Sequence, residues 1–124
     1  MTETETASEA GVGAVVARFN AAFNRRDVDA VMNLMTDDCV FESTAPPDGR
    51  RYVGSVDVRA CWEELFAATP GATFADEETL VVGDRAVVRW TYRFGDDTAG
   101  HVRGVDLFRV RDQKVAEKLS YVKG

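Results

Sequence analysis

Histidine and cysteine are nearly absent from this chain, and both scarcities narrow its chemistry. His101 is the single histidine and has no obvious cluster of acids around it, so neither a facial triad nor another metal site is expected, and no cofactor is expected either. Cys39 and Cys61 lie 22 positions apart, without a CxxC or a zinc spacing, and read as reduced, buried thiols rather than a disulfide. Basic charge is in deficit: 15 Lys and Arg against 21 Asp and Glu give a formal net charge of -6, which leaves no positive field for a nucleic-acid backbone. Long apolar runs are missing too, since nothing approaches the roughly 20 residues that cross a bilayer. The opening MTETETASEAG is acidic and polar where a secretory signal needs a basic start and an apolar stretch, so a soluble, cytoplasmic protein is expected. GVGAVV at Gly11 follows a polar tail instead of a strand and is no dinucleotide-binding turn. No Ser-His-Asp arrangement supports Ser43 or Ser120 as a nucleophile.

What is present is apolar pattern. The chain has 124 residues, 45% of them apolar, enough to close one core of ordinary size. Residues 1–10 carry nothing to bury and read as a disordered tail, leaving 11–124 as a single domain. Val12, Val15, Val16, Phe19 and Phe23 recur at helical spacing, and Asp27 can cap a second helix carrying Val28, Val31, Met32 and Met35. A turn at TDD precedes a short strand, CVFES, and then a loop, TAPPDGRRYVG. Ser55 is expected to cap a third helix in which Val58, Cys61, Trp62, Leu65 and Phe66 share a face, ended at TPG. Four strands follow, separated by GD, GDDTAG and DQ; their tight turns require antiparallel neighbours. The order predicts an α+β plan, helices laid on one face of a curved meander.

Alternation then selects an interior. In RAVVRWTYRF, Val88, Trp90, Tyr92 and Phe94 point one way and Arg89, Thr91 and Arg93 the other. In HVRGVDLFRVR the set Val102, Gly104, Asp106, Phe108 and Val110 opposes a face carrying Arg103, Arg109 and Arg111. Asp106 therefore falls on the apolar face. A carboxylate directed there must be paired, hydrogen-bonded or protonated, because leaving it charged and alone costs several kcal/mol.

The segments VVARFNAAFNRRDVDAVMNLMTDDCVFES, YVGSVDVRACWEELF and RGVDLFRVRDQKVAEKLSYV, in this order and spacing, resemble the nuclear transport factor 2-like superfamily with its ketosteroid isomerases and SnoaL-like polyketide cyclases. The resemblance runs from about Val12 to Val122. It implies a cone: a strongly curved, mainly antiparallel sheet with three helices on its concave face, an interior ligand pocket, and a homodimer packed through the outer face of the sheet. Val105 and Leu107 are apolar on that outer face, and Gly104 leaves a gap beside Asp106 within.

Carried over position by position, the oxyanion aspartic acid of a ketosteroid isomerase falls on Asp106, but its tyrosine falls on Phe19 and its base on Ser43. Phe19 cannot donate a hydrogen bond and Ser43 is no base near neutrality, so that mechanism is disfavoured. Tyr92, on the interior face, can supply a phenol from another strand. Glu42 is next to the base position and reaches inward only through a bulge. The expected site thus has Asp106, Tyr92 and Glu42 as reacting groups and Phe19, Ser43, Trp62, Phe66, Trp90, Gly104 and Phe108 around a small apolar molecule. The function it suggests is a small cofactor-independent enzyme, a lyase, isomerase or cyclase, that transfers a proton on an apolar carbonyl compound. A non-catalytic binding module of the same fold is the alternative.

Overall fold

A computed structural model of the chain describes residues 8–95 and 100–123. Helix α1 (Glu9–Asn24) starts inside the segment expected to be tail, because the Ser8 hydroxyl accepts from the backbone N–H of Gly11 at 3.0 Å and caps the first turn. Residues 1–7 of that tail lie outside the described residues. The anticipated stripe Val12, Val15, Val16, Phe19 and Phe23 is buried, with Ala22 added to it. Helix α2 (Val28–Asn33) is capped as expected by the Asp27 carboxylate, which accepts from the N–H of Ala30. Helix α3 (Ser55–Ala68) differs at its start: Gly54, at φ 90°, is the cap residue and Ser55 is already helical. Val58 and Trp62 are its fully buried side chains, with Cys61, Leu65 and Phe66 packed beside them.

Six strands, β1 (Met35–Glu42), β2 (Arg51–Val53), β3 (Thr73–Val82), β4 (Arg85–Arg93), β5 (His101–Arg111) and β6 (Lys114–Val122), form one curved sheet in the order β2-β1-β6-β5-β4-β3. The pairing is antiparallel except between β1 and β6, which run parallel. Two expectations are corrected here. The loop after CVFES contains the short strand β2, and TDD is no free turn but an irregular stretch of β1 where its register against β6 shifts between Met35 and Val40. Thr36 holds that stretch by donating its hydroxyl to Asp38 at 2.8 Å.

The β5–β6 hairpin controls which side chains enter the core. Asp112 and Gln113 both take positive φ, as a two-residue turn between twisted strands requires. Carried on without interruption, the register Arg111↔Lys114 and Val110↔Val115 would set Leu119 opposite Asp106. Instead the pairing shifts between Val110 and Arg109, so that Arg109 faces Glu117, Phe108 faces Lys118 and Asp106 faces Ser120. Ala116 is the extra residue of this bulge, and both Val115 and Ala116 are buried. A one-residue shift exchanges the faces of the remaining strand. Lys118 and Ser120 turn inward; Leu119 turns out.

Val88, Trp90, Phe108, Val110 and Val115 from the sheet meet the helices' buried stripes, each such side chain contributing about 1.5–3 kcal/mol. Cys39 is buried in this core as a free thiol, its pKa pushed up to about 11 by burial, and Cys61 is free and half-buried. On the outer face the register sets Leu80, Val87, Leu107 and Leu119 side by side across four strands. Beyond that row Glu77, the extra residue of a β3 bulge, accepts from Thr91 and Arg103. The Thr91 hydroxyl first, then Arg103, holds its carboxyl below the usual range.

Candidate functional site

At the centre of the inner face, cross-strand pairing brings three polar side chains together. Asp106 (β5) is 4% exposed and accepts a hydrogen bond from the Ser120 hydroxyl (β6) at 2.6 Å. Lys118, two residues earlier on the same face and 4% exposed, donates to Ser120 Oγ at 3.1 Å and places its Nζ 3.5 Å from Asp106 Oδ2. The ammonium is walled by aromatic rings, with Phe41 at 4.9 Å, Phe23 at 5.3 Å and Trp62 at 5.5 Å from Nζ to ring centroid. Phe41 is its neighbour on β1 and Phe108 its neighbour on β5, so the sheet register itself builds two sides of the enclosure.

Of the three states open to an interior carboxylate at position 106, the structure shows the paired and hydrogen-bonded one: Asp106 has a buried cation and a hydroxyl. Breaking such a pair by removing one member typically costs 3–5 kcal/mol, whereas replacing both by apolar groups of similar volume is often neutral. Fold stability alone does not call for this arrangement.

A void of about 10 Å³, room for about one water molecule, is lined by both Asp106 and Lys118. Its other walls are Asn20, Phe23, Phe74, Asp76 and Trp90. Asp76 is exposed and accepts from Asn20 Nδ2 at 3.1 Å, so the void lies just under the surface between α1 and β3. A second void of about 10 Å³ lies beneath Tyr92, bounded by Asn24, Arg26, Leu65, Phe66, Thr69 and Ala72. The rings of Phe23 and Phe74 border both voids. Phe74 stands in the middle of an aromatic cluster, 4.6 Å from Tyr92, 5.1 Å from Trp90 and 5.4 Å from Phe23 by ring centroid. Asn24 pins its backbone from α1, donating to Phe74 O and accepting from Phe74 N, both at 2.9 Å. The Arg26 guanidinium is half-buried and donates to Ala72 O at 2.7 Å and Thr69 Oγ1 at 3.2 Å, tying the end of α1 to the end of α3.

Several anticipated site residues take other places. Glu42 is on the strand face opposite Phe41 and pairs with Arg51 at 2.9 Å, because β1 has no bulge at that point to turn it inward. Ser43 accepts from the N–H groups of Arg50 and Ala45 and fastens the loop rather than facing Asp106. Phe19 is fully buried against Phe23 and Phe108, and Phe108 is packed solid opposite Lys118. Trp62 belongs to the lysine enclosure, Trp90 to the wall of the Asp106 void, and Phe66 to the Tyr92 void. Tyr92 is separated from Asp106 by the Phe23 and Phe74 rings, so the structure does not join these two groups. The gap expected at Gly104 is filled: a Cβ there would stand 2.8 Å from two ring carbons of Trp90 and 2.1 Å from Tyr121 O. His101 begins β5 in an exposed position, and residues 96–99 before it lie outside the described residues.

Lys118, Asn20 and Asp76 were missed as site residues, and Ser120 was considered only as a nucleophile. Trp62 Nε1, Trp90 Nε1 and Tyr92 OH are buried with no hydrogen-bond partner among the described residues, which leaves three donors directed into the interior. No group of histidine, cysteine and acidic side chains suited to a metal ion occurs among the described residues, and no described helix is long and apolar enough to cross a membrane.

The fold is that of a known family. The profile of the SnoaL-like domain matches residues 16–118, and the chain belongs to that family. Among solved structures it is similar to an NTF2-like protein of unknown function from Mesorhizobium loti, with 38% identity over 100% of both chains and a TM-score of 0.83. A candidate ketosteroid isomerase from Kribbella flavida (20% identity, 94% of this chain and 80% of that one, TM-score 0.79) shares the fold. So does a candidate polyketide cyclase from Sinorhizobium meliloti (24% identity, 86% and 93%, TM-score 0.74). A search among curated proteins finds no match.

Because Phe74 separates the two voids, Phe74→Ala should join them. The expected result is a loss of about 2 to 4 kcal/mol in urea melts, with roughly tenfold tighter binding of an apolar ketone read by tryptophan fluorescence. Unchanged ketone binding in a folded variant would show that this ring does not control access.

Proposed function

We propose that this chain is a small cofactor-independent enzyme that transfers a proton on an apolar, carbonyl-bearing molecule held in the cone. The observation carrying this reading is the buried Asp106–Ser120–Lys118 constellation bordering a void under the surface. In the proposed step Asp106 accepts the proton from the carbon next to the carbonyl, and Lys118 donates to the oxygen on which negative charge develops. Ser120 positions Asp106 through its 2.6 Å hydrogen bond. The aromatic walls hold the apolar body of the substrate and keep water from competing for the charges. Tyr92 enters this scheme only when the Phe74 ring is displaced.

A void of about 10 Å³ has no room for such a substrate, so entry requires the aromatic cluster to open between α1 and β3. The same small volume favours a second reading, a module that opens for a ligand without turning it over. Hydrogen–deuterium exchange separates the two. With a panel of apolar ketones in D2O, followed by proton NMR, the wild type should catalyse exchange next to the carbonyl and Asp106→Asn should lower the rate by about 10² or more. Ligand binding without exchange, or exchange untouched by the substitution, would leave the binding module.

The chain is further proposed to work as a homodimer through the outer face, where Leu80, Val87, Leu107 and Leu119 form one apolar row and Leu80 is 56% exposed. Sedimentation at micromolar concentration should show a dimer that Leu107→Glu dissociates. A monomer, or a dimer insensitive to that change, contradicts the arrangement.

A further inference from the structure

Resting on the reading of this interior as a carbonyl site, we propose that Lys118 is itself a nucleophile, forming a covalent imine with an unhindered aldehyde or ketone. Three features of the structure combine. Lys118 is buried yet lines the void, so a carbonyl compound admitted when the aromatic cluster opens would come up against its side chain. An acid lies 3.5 Å away, with the Ser120 hydroxyl between them as a relay at 3.1 Å and 2.6 Å. The remaining surroundings of Nζ are the rings of Phe23, Phe41 and Trp62, which exclude the bulk water that hydrolyses imines. Lys114 and Lys123, the other two lysines, are exposed and lack all of this.

The step balances within the pair. A proton passes from the Lys118 ammonium to Asp106, leaving an amine and a carboxylic acid with no change of net charge. The Nζ lone pair forms the C–N bond as the C=O π electrons move to oxygen, which takes the proton from Asp106. The nitrogen returns a proton to Asp106, and Asp106 delivers it to the hydroxyl, which leaves as water. The products are a protonated C=N bond to Lys118, the Asp106 carboxylate and one water. That carboxylate is then placed to remove the proton on the adjacent carbon, and the protonated imine is a better electron sink than the free carbonyl. The chemistry this would serve is the cleavage or formation of bonds next to an aldehyde or ketone.

The deciding comparison is made among the lysines of the wild-type chain, so it does not depend on a variant folding. The protein is exposed briefly to a short aliphatic aldehyde with cyanoborohydride, which reduces imines to stable amines, and the three lysines are compared by peptide mass mapping. The proposal predicts labelling of Lys118 at least about tenfold faster than of Lys114 and Lys123, and loss of that advantage with Asp106→Asn. Labelling confined to Lys114 and Lys123, or equal at all three lysines, overturns it. Exchange without trapping at Lys118 rejects the imine and leaves simple proton transfer standing; trapping without exchange does the reverse.

Discussion

The interior of this protein depends on one buried ion pair. Asp106 and Lys118, 3.5 Å apart, attract each other by roughly 5 kcal/mol at the effective dielectric suited to protein interiors. That gain is set against several kcal/mol of desolvation for each ion. Cation–π contacts with three rings and the Ser120 hydrogen bonds tip the balance toward a tolerable pair. An apolar pair of similar volume would fill the same space at no electrostatic cost. Net stability alone does not account for the two charges, and the carbonyl chemistry proposed above gives them a use.

Everything near the pair serves to hold it. The bulge at Ala116 turns Lys118 and Ser120 toward Asp106; the parallel pairing of β1 with β6 brings Phe41 alongside the lysine. Gly104 lets the Trp90 ring close against the strand backbone, shaping the wall beyond Asp106. At the surface end, Asn24 and Arg26 secure Phe74 and Ala72 from the end of α1, so that end of the helix holds Phe74, one of the two rings between the voids. The outer face is organised independently by its apolar row and by the Arg–Glu pairs beyond it.

How much of this was legible in the sequence follows from which features are local. Helical spacing in α1, the Asp27 cap and the hairpin turns are set by neighbours in sequence, and alternation along β5 was enough to turn Asp106 inward. Lys118 was not legible, because simple alternation from Val115 puts Leu119 inside and the lysine outside, and only the bulge reverses them. The signal that could have found it is chemical: an interior aspartate needs a partner, and LysLeuSer on the adjoining strand offers an ammonium and a hydroxyl with one shared orientation. Gly104 misled in the opposite sense, since the space a glycine leaves can admit a neighbour's ring as well as a ligand. Glu42 and Ser43 were chosen through correspondence with another mechanism, and β1 keeps the plain alternation that turns Glu42 away. Asp76 escaped because it sits beside the β3 bulge, where strand periodicity is interrupted.

A double-mutant cycle tests the central role of the pair most directly. Urea melts of Asp106→Leu, Lys118→Met and the double variant compare the two charges singly and together. The account predicts losses of about 3 to 5 kcal/mol for each single change and a double variant close to the wild type, a coupling of about 6 kcal/mol or more. Additive losses in the double variant would contradict it, showing that the two side chains pack independently and that no buried pair organises this interior.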